Sequence, residues 1–336
     1  MSNRRFVYPT SQQADVIDDY HGTAVSDPYR WLEEPESEAT QVWGAEQQAL
    51  TRSFLDELPG REQLAARFTA LLNYPKFGVP VQRGERIFFS KNDGLQNQSV
   101  LFWQAGEEGE AQELLDPNRL AADGTVALTG TSFSKNGRFL AYNLSESGSD
   151  WQTIRVRDVE SGADLEDTLS WCKFANAAWL PDGSGFFYPR YPAPGEMPDE
   201  PPSTHNRLYF HKLGTPQEED KLIYARPDAK DLGFSPSISD DGRFLLLWVF
   251  QGTDRRNRFY YRDLQSDGQI VRLLDEQDAK YIFIANDATR FYFLTDLDAP
   301  LGRVVAVDVR QPAQEQWQEN VPGGGGVLEF VTAVQH

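Results

Sequence analysis

The chain has 336 residues, with 32 lysines and arginines against 51 aspartates and glutamates, and a net charge of −19. That length calls for at least two folding units or one large repeat array, and a 40% hydrophobic share rules out wholesale disorder. The acidic balance repels nucleic-acid backbones and anionic membrane surfaces, so neither is an expected partner.

The opening residues Met1-Ser2-Asn3-Arg4-Arg5-Phe6 are basic but run straight into polar sequence without the apolar core of a signal peptide. No stretch approaches the roughly 18 apolar residues that span a bilayer. A lone Cys172 supports neither a disulfide framework nor a multi-cysteine metal site. The expectation is a soluble, cytoplasmic, acidic protein.

Residues 37–72 have helical spacing. Trp43, Leu50 and Phe54 share one face at 3.6 residues per turn, and Pro59-Gly60 breaks the pattern. Leu64, Phe68, Leu71 and Leu72 then form a second apolar stripe. Two helices this short have little core of their own, so residues 1–74 are expected to be an N-terminal helical arm. Its stripes pack on the arm's own domain, on a second domain of the polypeptide, or on a partner.

After Tyr74-Pro75 the texture changes to short apolar runs punctuated by Gly, Asp and Asn. One phrase recurs as Ser134-Lys135-Asn136-Gly137-Arg138-Phe139, as Leu180-Pro181-Asp182-Gly183-Ser184-Gly185-Phe186, and as Ser239-Asp240-Asp241-Gly242-Arg243-Phe244. Weaker copies surround Gly84 and Arg290. An Asn-Gly or Asp-Gly pair supplies the positive φ angles of a tight hairpin, and the residues after it enter a buried strand. A closing phrase of alternating pattern follows, for example Thr153–Val159, Arg207–Leu213, Arg258–Leu264 and Arg303–Val309.

The turn positions 84, 137, 183, 242 and about 290 repeat at intervals of 53, 46, 59 and about 48. A period of about 50 with four strands per unit fits a β-propeller blade. The expected fold is therefore mostly β, an incomplete β-propeller of about five four-stranded blades over residues 75–336. A β-sandwich competes, but it does not explain why two phrases recur in fixed order. Six prolines between Pro189 and Ser203 mark an irregular surface excursion, and glycines 323–326 a flexible connection.

Catalytic signatures are missing. No G-x-S-x-G elbow occurs, and Gly130-Thr131-Ser132-Phe133-Ser134 lacks the closing glycine. Only His21, His205, His211 and the terminal His336 could serve a relay, and none has a nominating context. His211 is expected to be a packed or rim residue, while Asp182, Asp240 and Asp241 belong to turns. No motif points to a catalytic residue, a metal or a cofactor.

Asp27-Pro28-Tyr29-Arg30-Trp31-Leu32-Glu33, preceded by Asp19-Tyr20-His21-Gly22, resembles the N-terminal signature of the prolyl oligopeptidases. Gly94-Leu95-Gln96-Asn97-Gln98, Asp123-Gly124-Thr125-Val126-Ala127-Leu128, Gly148-Ser149-Asp150-Trp151 and Val327-Leu328-Glu329-Phe330-Val331 extend the resemblance in colinear order over the chain. It implies a seven-bladed propeller covering an α/β-hydrolase domain, in a cytosolic serine peptidase that cuts short peptides after proline. The helical arm would pack on the hydrolase part. The propeller would act as a size filter for peptides.

The family's Ser, Asp and His have no matching positions here, so none is carried over, and the chain alone is expected to be inactive. Phe174 resembles a family aromatic that lines the substrate cavity, and Tyr224 is a weaker candidate of the same kind. Expected partners are short proline-containing peptides, with a complementing second half or self-association completing the fold. A stand-alone propeller serving as a protein-binding module is the alternative. The helical arm argues against it.

Overall fold

A computed structural model describes residues 6–334. His336 lies outside the described residues. The chain divides into two compact units at Tyr74/Pro75.

In the first unit, a hairpin pairs Ile17–Tyr20 with Thr23–Ser26. Its turn has both His21 and Gly22 at positive φ, 55° and 87°, and Asp19 accepts the Gly22 N–H at 2.6 Å. Arg30 donates to Asp27 at 2.6 Å and also bonds Asp18, tying the Asp-Pro-Tyr-Arg stretch to the hairpin. Helix α1, Glu38–Leu55, starts at Ser37, whose hydroxyl accepts the Thr40 N–H. Its Trp43 ring meets Trp31 edge-on at 6.4 Å, and Phe54 meets Phe6 at 5.2 Å. The first stripe is thus covered by the preceding segment. Helix α2, Arg61–Leu72, follows Gly60 at φ 84°. Its stripe residues Leu64, Phe68, Leu71 and Leu72 are 49–61% exposed.

The second unit holds five antiparallel sheets, each pairing its strands in sequence order. Blade I joins Arg86–Asn92, Val100–Ala105 and Gln112–Leu115 to an inner strand broken into Lys76–Phe77 and Val81–Arg83. Blade II runs Val126–Phe133, Phe139–Glu146, Trp151–Asp158 and Asp164–Lys173. Blade III runs Ala178–Trp179, Gly185–Arg190, Arg207–Lys212 and Lys221–Ala225. Blade IV comprises Leu232–Ile238, Phe244–Gln251, Arg258–Asp263 and Val271–Leu274. Blade V comprises Tyr281–Asp287, Arg290–Thr295, Arg303–Asp308 and Gln318–Val321. Separate meanders of this kind are propeller blades, and the sandwich reading falls.

Four cores hold the blades together, one at each successive joint. Phe88 and Trp103 face Leu140 and Tyr142 between I and II, and Ile154 and Leu169 face Phe186 and Tyr188 between II and III. Phe187 and Leu208 face Leu245 and Tyr260 between III and IV, and Phe244 and Phe259 face Phe291 and Phe293 between IV and V. A blade buries its two faces only against neighbours, so the stability of such an array resides in these joints.

Two details correct the sequence reading. In the recurring turns only the glycine takes positive φ, at Gly137, Gly183 and Gly242. Each glycine N–H bonds the residue three earlier. Asn136, Asp182 and Asp241 keep negative φ and use their side chains instead, accepting the N–H of Arg138, Ser184 and Arg243. The phrase encodes a polar-capped turn ending in a left-handed glycine, because the side-chain acceptor makes a second positive φ unnecessary. The second correction concerns Pro189, which is buried inside a strand opposite Leu208. The inner strand pairs only as far as Phe187, so the missing N–H at Pro189 forfeits no ladder bond.

Candidate functional site

The inner strands of blades I to IV converge on one cavity of about 590 Å³. Small and polar side chains dominate its wall, including Thr131, Ser132, Asn176, Ser237 and Ser239. At the turn end, Lys135 Nζ donates to the Asp240 carbonyl at 2.8 Å, so blade II reaches blade IV across the cavity rim. At the other end, Asn176 donates to the Pro236 carbonyl at 2.6 Å and accepts from the Ser235 hydroxyl at 3.1 Å. The Ala177 N–H and the Trp179 indole N–H both bond Ser132. The short inner strand of blade III is therefore pinned from both sides.

Just before it lies Phe174. Its backbone is left-handed, φ 49°, and its ring is 64% exposed. Trp171, three residues earlier, is also left-handed at φ 62°. A register shift in the pairing with Trp151–Asp158 makes room for it there. Left-handed backbone at a bulky residue costs about 1–3 kcal/mol and persists only where the surroundings impose it. Here they do. Asn143 donates to the Ala175 carbonyl at 2.8 Å, and Gln152 accepts the Ala175 N–H at 3.2 Å. The Lys173 ammonium lies 5.6 Å from the Phe174 ring centre and 5.8 Å from that of Trp151. Phe174 thus stands as an exposed aromatic on a rigid support at the start of an inner strand.

Tyr224 sits elsewhere, in the outermost strand of blade III. Its ring packs edge-on against Phe234 and Tyr260, and its hydroxyl accepts from Arg272 at 2.9 Å. The structure does not bring Tyr224 and Phe174 together.

Three features were missed in the sequence. The first is a repeated amide. Gln98, Gln152, Asn206 and Asn257 open the third strands of successive blades and bond the chain entering the next blade. Gln98 holds Leu128 and Val126, Gln152 holds Ala175, Asn206 holds Phe234, and Asn257 holds both backbone groups of Tyr281. An amide just ahead of the closing phrases Thr153–Val159, Arg207–Leu213 and Arg258–Leu264 was the available signal.

The second is the environment of His211, which is fully buried between two carboxylates. Nδ1 lies 2.7 Å from Asp220 and Nε2 lies 2.8 Å from Asp167. The Tyr188 hydroxyl donates to Asp220 at 2.6 Å, and the Gly214 N–H donates to Asp167 at 2.6 Å. Burial alone would lower the His211 pKa, but the bonds to Asp167 and Asp220 reverse this and hold it up at about 9. Burial pulls Asp167 the other way, and the bonds from His211 and Gly214 still keep it below the usual carboxylate range. The imidazolium bridges blades II and III, and both of its ring nitrogens are taken up by carboxylates. This is a packed histidine with a structural role.

The third is an apolar pocket of about 250 Å³ between the proline excursion and Trp151 and Trp171.

Residues 8–335 match the prolyl oligopeptidase N-terminal beta-propeller domain. The chain is 35% identical over 331 residues to a prolyl endopeptidase of Elizabethkingia meningoseptica, covering 97% of this chain and 46% of that protein. It is 34% identical to prolyl oligopeptidase A of Galerina marginata, covering 97% of this chain and 49% of that protein. Among solved structures, one from a study of two prolyl endopeptidases and their inter-domain dynamics superposes with a TM-score of 0.87 at 32% identity. It covers 95% of this chain and 47% of that one. Prolyl oligopeptidase B of Galerina marginata, bound to a 35-residue substrate, superposes at 0.81 and 31% identity, covering 94% of this chain and 48% of that one. The chain spans about half the length of each of these relatives.

Proposed function

The chain belongs to the prolyl oligopeptidase family, matching the N-terminal propeller-bearing half of its relatives, and on that premise we propose that it gates short proline-containing peptides for a serine-type hydrolase half. The observation that carries this reading is the colinear match of the arm and all five blades to prolyl endopeptidases. The strand-lined cavity admits an extended peptide and excludes a folded domain. Phe174 offers a passing side chain an aromatic surface that is already ordered, so little conformational entropy is lost on contact. Tyr224, engaged in the joint between blades III and IV, contributes to peptide contact only through that joint.

The 336 residues bind and sort peptides without cleaving them. Cleavage arises with a hydrolase half, whether in the same polypeptide or a complementing one. The isolated chain self-associates through apolar surface such as the Leu64–Leu72 stripe. A cytoplasmic setting accords with the acidic composition and the single, buried cysteine.

A blocked Gly-Pro fluorogenic peptide tests the reading. The purified chain is expected to leave it uncut, and light scattering to show concentration-dependent association. Proline-specific turnover abolished by a serine-reactive inhibitor would overturn the assignment.

A further inference from the structure

The pocket beside the proline excursion is separate from the strand-lined cavity. One wall is aromatic. Trp151 stands nearly perpendicular to Trp171, at 80° and 6.2 Å, and to the buried Tyr191, at 87° and 5.9 Å. Each ring is therefore held edge to face by another, which fixes the wall. The rest of the lining is the chain's own excursion, including Pro192, Pro194 and Met197. Glu200 stands among the lining residues.

The excursion is tied down by ion pairs and turns. Arg207 pairs with Glu196, and Lys230 pairs with Glu200 at 2.8 Å. Turns close at Glu196, Glu200 and Thr204. The gap between the walls is thus a formed space rather than a slack loop. At about 250 Å³ it exceeds the roughly 150 Å³ in which an apolar cavity holds a benzene ring.

Its chemistry favours one kind of occupant. Indole faces take prolyl rings well, because the ring is compact, apolar and restricts its own backbone, and the extended prolyl backbone is already ordered. Prolines of the chain itself, among them Pro192, Pro194 and Pro198, line the same space as Trp151 and Trp171, so the pocket is apolar on both sides. Trp171 is held in a left-handed backbone by the register shift and by the Tyr191 N–H, which donates to its carbonyl at 2.9 Å, and it remains 37% exposed.

We propose that this pocket is a second peptide subsite that takes a prolyl residue of the same peptide that lies along Phe174. The proposal deepens the peptide-gating reading and rests on it for the substrate class. The Lys173 ammonium lies 5.8 Å from the Trp151 ring centre and 5.6 Å from that of Phe174, so the two aromatic surfaces are neighbours that one extended peptide bridges.

The test uses the full 336-residue chain and the blocked tetrapeptide acetyl-Gly-Pro-Pro-Gly-amide, with the Gly-Ala-Ala-Gly peptide as comparison. Binding is read by calorimetry and saturation-transfer NMR. The expected result is saturable binding of the prolyl peptide and little of the alanyl one. Trp171→Ala should weaken it about tenfold and Trp171→Phe should restore most of the loss. Ala193→Phe, which fills the pocket without altering either indole, should also weaken it about tenfold, which guards against misfolding of the tryptophan variant. Unchanged binding in both Trp171→Ala and Ala193→Phe would overturn the subsite. If Phe174→Ala alone abolishes binding, peptide gating stands and the second subsite falls. Equal binding of the alanyl peptide overturns the prolyl assignment.

Discussion

The joint between blades II and III should be weakened by alkali, and the structure sets the size of the effect. His211 carries a pKa of about 9 in the folded chain against an ordinary 6.5. Between those values the folded state binds the proton more tightly than the unfolded state, so stability falls as pH rises. The contribution is fully present below about pH 6.5 and is lost by the time pH passes 9. A difference of about 2.5 units corresponds to roughly 3 kcal/mol. Asp167, held below its usual range, acts in the opposite sense. Its contribution is present above about pH 4 and is lost in acid. Stability from this cluster therefore peaks between about pH 4 and 6.5.

The other charged and polar groups at the cluster are Asp220, Tyr188 and Gln217, which bonds the Tyr188 hydroxyl at 3.0 Å. Burial and the Asp220 carboxylate both push the Tyr188 phenol upward, so it stays neutral through this range. Urea unfolding at pH 6, 7.5 and 9, compared with a His211→Gln variant, isolates the effect. Wild type should lose about 3 kcal/mol over that range and the variant should be nearly flat. The variant should also be weaker at pH 6, by about 3–5 kcal/mol, because the buried carboxylates Asp167 and Asp220 lose the cation between them. Parallel pH profiles for the two proteins, or a His211 NMR titration midpoint at or below 6.5 in folded protein, would refute the reasoning.

Three further outcomes follow from the packing. Phe291→Ala removes a fully buried ring that meets Phe244 at 4.9 Å and Tyr261 at 5.4 Å, and should cost about 3–5 kcal/mol in urea unfolding; a loss below 1 kcal/mol would contradict the joint between IV and V. Asn257→Ala leaves the buried Tyr281 N–H and carbonyl without their amide partner. It should cost about 1–3 kcal/mol, with amide exchange at Tyr281 accelerated more than in blade I. Phe174→Gly relieves the left-handed strain and should stabilise the chain by up to about 1 kcal/mol while weakening peptide binding; destabilisation would mean that the ring is a packing residue.

Much of the fold was legible because each blade is built from local signals. The Ser-x-Asn/Asp-Gly-x-Phe phrase closes its own hydrogen bonds, with Ser134 and Ser239 accepting the N–H of Phe139 and Phe244. A reader of the sequence therefore sees every such turn, even while misjudging which residue carries the positive φ. The helices were legible for the same reason, since Ser37 caps α1 and Gly60 precedes α2. The site was less so. Phe174 is nominated by resemblance alone, and its left-handed backbone depends on Asn143 and Gln152, which lie 32 and 23 residues from the Ala175 they hold. Tyr224, the weaker candidate in sequence, lies apart from Phe174 because its strand is the outermost of its blade.

By itself, the order of residues determined the period of about 50, the strand-turn-strand content of each repeat and the amphipathic arm, all of which depend on groups within a few residues of one another. Only the tertiary structure decided what the blades do to each other. His211 became a doubly bonded cation because Asp167, 44 residues away in the chain, arrives from the neighbouring blade. Trp151 and Trp171 became a pocket wall because the proline excursion of blade III returns across blade II. Burial, charge state and exposure at these positions come from joints between units remote in sequence, and no local pattern carries that information.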